Sequence, residues 1–302
     1  TPDKIVFAGV GKSDREIEIG LDNDIYCFNV ESIPELEVLN TLASEKGKTA
    51  RVAFRINPNV DAHTHKYITT GLSENKFGIN EQDLPKILEI LKSSSNVVLM
   101  GIHFHIGSQI TDLKSFEDLC IKVKELQEWF NAQDIKLPII NVGGGLGINY
   151  QHPNHIPIAD FESYFRLFEK NLALQADQQL HFELGRAVVA PCGSLVSRAL
   201  YVKEGISKKF LILDAGMTDL IRPALYQAFH YIENISSDKA PALYDVVGPI
   251  CESSDVFAEQ VWLNECSRGD LIALRSAGAY GEAMASRYNC RDLPLSYFSD
   301  QF

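Results

Sequence analysis

The chain has 302 residues, is 45% hydrophobic and carries a formal net charge of −12 at pH 7, an acidic balance that argues against nucleic acid, whose phosphates need a basic face. No apolar run approaches the ~20 residues of a membrane span, and the first residues show no secretory charge-then-apolar pattern. Six cysteines, Cys27, Cys120, Cys192, Cys251, Cys266 and Cys290, are scattered without CxxC spacing, the pattern of reduced thiols in a cytoplasmic protein rather than of a disulfide framework or a zinc site.

Strand and helix patterns alternate from the first residues to Arg186. Residues 5–8 read as a strand, and residues 13–21 as a helix with Ser13 at its N-cap and Glu16 positioned to complete a capping box. Between them, Gly9-Val10-Gly11-Lys12-Ser13 imitates the end of a phosphate-binding P-loop. The first glycine of that motif would fall on Val6, so the nucleotide reading is set aside. A second strand at 25–28 precedes a helix at 32–46 with Pro34 near its start. Further strands are predicted at 51–56, 97–106, 139–142 and 181–183, with helices at 84–91, 116–130 and 161–174. After Arg186 the rhythm changes to short β-rich runs at 194–202, 210–214, 242–247, 255–263 and 270–274, the composition of a separate β-barrel or sandwich. The expected organisation is therefore an α/β (β/α)8 TIM-type barrel over residues 1–188 and a β domain over 189–302. Six βα strands are two short of a closed barrel. Either the sheet is open or two units precede Thr1; a chain that starts on Thr and leads straight into a strand favours the second.

Several motifs carry chemistry, each beside a plainer reading. Gly143, Gly144 and Gly145 end an apolar strand, and bare glycine backbone lets an anion approach closely; a tight structural turn reads the same way. The triplet is not a dinucleotide fingerprint, because the sixth position is Ile148 and no acidic ribose ligand follows. His103 and His105 would share one face of a strand. The other histidines, His63, His65, His152, His155, His181 and His230, supply no ligand set with partner carboxylates, so no metal is expected. The plainer reading is a buried, hydrogen-bonded histidine, whereas the Gly107-Ser108 pair that follows suits a phosphate. Glu183 ends a strand where barrel enzymes place catalytic groups and, after the last strands, grip phosphates; an ion pair with Arg186 is the alternative. Cys251-Glu252-Ser253-Ser254-Asp255 combines a thiol, acids and hydroxyls, or is a polar turn. Arg222, Pro223 and Tyr226 read equally as a helix start, and residues 277–281 as a turn with an aromatic plug.

Taken together and in order, these segments resemble the diaminopimelate decarboxylases, fold-type-III enzymes using pyridoxal 5′-phosphate and related to ornithine decarboxylase and alanine racemase. The resemblance covers essentially the whole chain and rests on Val10-Gly11-Lys12, Phe54-Arg55-Ile56-Asn57-Pro58, Lys76-Phe77-Gly78, the run from His103 to Gln109, the glycine triplet, Glu183 to Arg186, Arg222 to Tyr226, Gly248 to Asp255 and Ala277 to Tyr280. It implies that His105 stacks on the cofactor ring and that Glu183 bonds the pyridine nitrogen. Ser108, Gly143, Gly144, Gly145, the backbone of Gly185 and Arg186, and Tyr280 would hold the phosphate. Arg186, Arg222 and Tyr226 would bind the distal carboxylate of an amino-acid substrate, with Glu252 and Tyr280 also lining that site. Cys251 and Glu252 would reach the active site of a second subunit, making a homodimer, with Cys251 returning a proton.

The implied reaction is decarboxylation of meso-2,6-diaminopimelate to L-lysine. The alternatives are a related substrate (carboxynorspermidine, arginine or ornithine), a metal-dependent hydrolase, or a non-catalytic protein of the same fold. Two positions depart from the family. Leu184 stands where Pro is usual, and no Ala-Val-Lys-Ala-like run supplies the Schiff-base lysine, since Lys12 and Lys76 match other family positions. A chain lacking that lysine is expected to be inactive or severely impaired.

Overall fold

The computed structural model describes residues 1–60 and 76–301; His63 and His65 lie outside them. The chain forms two compact units, one of residues 1–146 with 160–184, the other of residues 147–159 with 185–302.

The first unit is a parallel βα succession. Its strands are β1 (Val6–Phe7), β2 (Cys27–Val30), β3 (Ala50–Asn57), β4 (Ile79–Asn80), β5 (Val97–His103), β6 (Ile139–Asn141) and β7 (Gln179–His181). They hydrogen-bond in the order β1-β2-β3-β5-β6-β7, with β4 added alongside β3, so six strands run along one continuous parallel path, as predicted from the repeat. β2 is buried throughout and β3 nearly so, as parallel strands covered on both faces must be. The helices start where local chemistry dictates. α1 (Asp14–Asp22) has the full capping box, with Ser13 Oγ accepting from Glu16 N and Glu16 accepting from Ser13 N. α2 (Ile33–Glu45) begins at Ser32 with Pro34 in its first turn, and α5 (Phe161–Asn171) at Asp160, which accepts from Ser163 N. α3 (Leu84–Ser93) and α4 (Lys114–Asn131) are amphipathic; α4 buries Phe116, Leu119, Cys120, Val123, Leu126 and Phe130 on a helical period. Phe116, Tyr164, Phe168 and Phe182 meet largely edge-on as the aromatic part of the core.

One boundary differs usefully from the sequence expectation. The strand predicted to run to residue 106 stops at His103, because its neighbour β6 ends at Asn141 and the ladder has no partner beyond. His105 therefore lies in a loop, not on the strand face shared with His103.

The second unit holds six strands, β8 (Leu195–Glu204), β9 (Lys209–Leu213), β10 (Ile232–Asn234), β11 (Pro241–Val247), β12 (Val256–Asn264) and β13 (Leu271–Leu274). They pair in the order β10-β13-β8-β9-β11-β12, antiparallel except for β9 with β11. Leu211, Leu213, Tyr244, Val246, Ile272 and Leu274 form its core. Two short helices, α6 (Arg186–Val189) and α7 (Arg222–Tyr226), complete it; α7 is the helix start that Arg222 to Tyr226 offered in the sequence, whereas α6 and β10 were not predicted, being too short for periodicity to register. Among the described residues no helix is long and apolar enough to cross a membrane.

Candidate active site

In the first unit, polar side chains collect at the carboxyl ends of the strands, around Glu183. Asn141, which ends β6, donates from Nδ2 to Glu183 Oε1 at 2.9 Å, and Asn29 of β2 donates to the same oxygen at 3.2 Å. His103, which ends β5, brings Nε2 to 3.4 Å from Oε2. That is longer than a formed charge-assisted bond, so His103 acts as an electrostatic neighbour. Burial pushes the Glu183 carboxyl up, but His103 and the Asn141 bond outweigh it and hold the group at about 2. With 34% of its side chain exposed, Glu183 is an ionised carboxylate that a ligand can reach. Around it, Asn29 Oδ1 and both ring nitrogens of His103 are buried without a hydrogen-bond partner.

His105 Nδ1 accepts from the Gly144 N–H at 3.3 Å, which assigns the proton of a neutral ring to Nε2. Burial first, then the charges of Arg55 and His103, bring its pKa down to about 4, so the imidazole is uncharged at neutral pH. Arg55 is itself fixed by a buried pair with Glu31 at 2.9 Å. Ser108 is partly buried in the loop after β5.

The glycine triplet owes its composition to crowding. A Cβ would meet Phe104 O at 2.1 Å from Gly143, Glu183 O at 2.4 Å from Gly144 and Gly107 O at 2.7 Å from Gly145, and Gly143 and Gly145 have φ of +70° and +108°. The Gly143 N–H donates to Asn141 Oδ1 at 2.9 Å, so two of the three amides already have internal acceptors. A cleft of about 620 Å³ lined by Lys4, Val6, Tyr26, Asn141, His181 and Glu183, among others, opens onto this carboxylate; its lining includes neither His105 nor the glycines. Lys12 is spent structurally: its ammonium donates to Gly9 O at 2.8 Å, Asn29 O at 2.7 Å and Glu35 Oε1 at 2.6 Å, using all three of its donors.

In the second unit a cationic cluster is organised around Tyr150. Arg186 Nη1 donates to Tyr150 Oη at 2.7 Å, and the Arg222 guanidinium lies 5.1 Å from the centre of the same ring. Arg222 Nη1 also donates to His230 Nε2 at 2.8 Å. Arg222 is 5% exposed, and among the described residues it has no carboxylate partner. Its pKa is lowered, by burial first and in part by the neighbouring charge of Arg186. Tyr226 ends α7, one turn from Arg222. Tyr280 stacks under the Arg186 guanidinium at 4.9 Å with φ of +59°, a conformation bulky residues rarely hold. Its loop is pinned by Ala277 N donating to Gly193 O and Gly278 N to Ala190 O. Cys251 and Glu252 are exposed, and Glu252 accepts from the Tyr288 hydroxyl at 2.5 Å. Asp255 shapes that loop, its carboxylate accepting from Met217 N at 2.6 Å and Ile250 N at 2.7 Å.

The structure thus gathers His105, Gly143, Gly144 and Glu183 in one unit, and Arg186, Arg222, Tyr226 and Tyr280 in the other. Sequence reasoning missed Asn29, Asn141, Tyr150 and His230. The first two left a signal: an Asn inside an otherwise apolar parallel strand, near its carboxyl end, needs a polar partner there.

Residues 1–190 match the family model described as the pyridoxal binding domain of pyridoxal-dependent decarboxylases. The chain is 63% identical over 298 residues to the diaminopimelate decarboxylase of Bacteroides thetaiotaomicron, covering 99% of this chain and 77% of that one. It is 43% identical over 290 residues to the Neisseria meningitidis serogroup B enzyme of the same name, covering 96% and 69%. The crystal structure of Helicobacter pylori diaminopimelate decarboxylase complexed with L-lysine matches with a TM-score of 0.89 at 42% identity, over 95% of this chain and 71% of that one. A polar strand-end cluster built around an ionised glutamate, together with these matches, establishes that the chain belongs to the diaminopimelate decarboxylase family of pyridoxal phosphate-dependent carboxy-lyases.

Proposed function

We propose that the chain serves decarboxylation of meso-2,6-diaminopimelate to L-lysine and carbon dioxide, in lysine biosynthesis in the cytoplasm, as a homodimer. The residues present fit pyridoxal phosphate: buried Asn29 Oδ1 and His103 nitrogens are left over beside an ionised Glu183. When bound, the cofactor supplies an electron sink for the pair left on carbon as carbon dioxide departs.

The chain's own residues do the rest. Glu183, anionic at every physiological pH, holds a proton on the pyridine nitrogen by accepting from it. Asn29 and Asn141 both donate to Oε1, which orients the carboxylate and leaves Oε2 for that task. Neutral His105 offers a flat face for stacking without adding a charge. Ser108, Gly145, the backbone of Gly185 and Arg186, and Tyr280 would hold the phosphate, with Gly143 and Gly144, whose amides have internal acceptors, shaping the turn beside it. Arg186, Arg222 and Tyr226 hold the substrate's distal carboxylate. The exposed thiol of Cys251 returns a proton to the carbon that lost carboxylate, acting with Glu252 in the site of a second copy. In function, residues 1–188 supply most of the cofactor contacts, together with Arg186 for the substrate, and residues 189–302 add the other substrate contacts, the partner contacts and Tyr280, a division supported by the family match ending at residue 190.

The observation that carries the substrate reading is Arg222, a buried guanidinium without a carboxylate partner among the described residues. A fixed cation in that state is prepared for an anion from outside. The test is steady-state decarboxylation by the cofactor-loaded full-length protein, comparing diaminopimelate, arginine and ornithine, with Arg222→Gln as the variant. Carbon dioxide release from diaminopimelate, with a KM raised at least about 10-fold by Arg222→Gln, is expected. Preferred turnover of ornithine or arginine, unaffected by the substitution, would overturn the reading.

A further inference from the structure

His230 is 2% exposed and has no part in the chemistry above, yet both of its ring nitrogens are engaged. Nδ1 lies 2.8 Å from the backbone oxygen of Arg275. A carbonyl can only accept, so Nδ1 carries a proton. Nε2 lies 2.8 Å from Arg222 Nη1. A guanidinium can only donate, so Nε2 presents its lone pair. The two neighbours demand the same neutral tautomer.

The groups facing this ring act in opposite directions, and with burial the balance leaves it neutral. They are Arg222 from α7, Arg186 from α6, Tyr150 packed edge-on at 5.3 Å, and the Arg275 backbone after β13. The Arg275 guanidinium itself turns to Asn154 and Glu233. Burial first, and then the two arginine charges, hold the imidazole at about 4 despite the Arg275 carbonyl, which favours the protonated ring.

Arg222 therefore has an acceptor that fixes its direction without cancelling its charge. A carboxylate in the same place would orient it as well and neutralise it. We propose that His230 is a positioning residue that makes the site selective for a substrate bearing a second carboxylate, by aiming Arg222 while leaving its full charge for that group. The proposal rests on the reading of Arg222 as the distal-carboxylate ligand.

The test uses the cofactor-loaded full-length enzyme with His230→Gln, His230→Glu and His230→Phe, and Arg222→Gln as reference. The readouts are kcat and KM for diaminopimelate and inhibition constants for two probes. L-Lysine retains the distal carboxylate; 1,5-diaminopentane lacks it. His230→Glu and His230→Phe are expected to raise the KM and the L-lysine constant by about 10–100-fold while 1,5-diaminopentane binds as before. His230→Gln, which can still accept from Arg222, restores both to within about threefold.

Equal weakening of all three ligands would mean a merely structural role and overturn the proposal, as would a His230→Glu enzyme with unchanged KM. If His230→Phe does not fold, His230→Glu and His230→Gln decide. A wild-type KM that rises on acidification between about pH 8 and 6, and flattens in His230→Gln, would show the ring charging there and also overturn it. An unchanged KM in Arg222→Gln would instead sink the substrate reading beneath it. A raised KM in Arg222→Gln with unaltered His230 variants would sink the His230 role alone.

Discussion

At the scale of single residues, the decisive property is which groups keep charge and which lose it. Glu183 stays ionised although burial opposes it, whereas burial leaves His105 and His230 neutral. Glu183→Gln preserves shape but removes the negative charge that, in the proposed role, would hold a proton on the pyridine nitrogen. Removing a preorganised electrostatic stabiliser of this kind lowers kcat on the order of 100-fold, to be read from steady-state kinetics at saturating cofactor. The same substitution has a pH signature. The folded-state pKa is depressed from 4.5 to about 2, so ionisation favours the folded state above the ordinary carboxylate range, and that contribution fades as pH falls through 4.5 toward 2. The difference in urea midpoint between wild type and Glu183→Gln is therefore largest near neutrality and shrinks on acidification; a difference that grew instead would contradict the assignment.

Individual elements show how loops are held so that such residues can work. β5 and β6 end together, and the chain beyond them folds back so closely that only glycine fits at 143–145. In the second unit, Asp255 plays the organising part for the loop bearing Cys251. It is 4% exposed, with its carboxyl pushed up by burial although two backbone amides favour the anion. Asp255→Ala leaves those amides without an acceptor and is expected to cost about 1–3 kcal/mol, measured by chemical denaturation. It should also lower kcat, because the Cys251 loop loses its anchor. A stable variant with unchanged kcat would separate the loop from proton return. The acidic motif ending in Asp255 was noticed in the sequence as a group; only its contacts divide it into exposed Cys251 and Glu252 and a buried structural acid.

For the whole molecule, charge predicts bulk behaviour. A net charge of −12 at pH 7 opposes non-specific association, and that repulsion vanishes near the pI of about 5.1. Solubility should pass through a minimum there, checked by light scattering across a pH series. Much of the architecture was legible because it is periodic: six strands alternating with five helices declare a parallel sheet, and the change to short β runs after Arg186 declares a second unit. The assignment of residues 147–159 to that second unit was not legible, since it depends on contacts made far along the chain.

By itself the sequence determined the alternation of elements and the family, and it offered candidate site residues that sit in ordered motifs: His105, the glycine triplet, Glu183, Arg186 and Arg222. The alternation follows from local periodicity, and the candidates from the resemblance that their motifs carry in order along the chain. The tertiary structure decided which side chains surround them. Asn29 and Glu183 are 3.2 Å apart although they lie at opposite ends of the first unit's sequence, and Tyr150 joins two arginines that no pattern links to it. Protonation states belong to the same class, because burial and through-space charge, not neighbours along the chain, hold His230 neutral and Glu183 ionised.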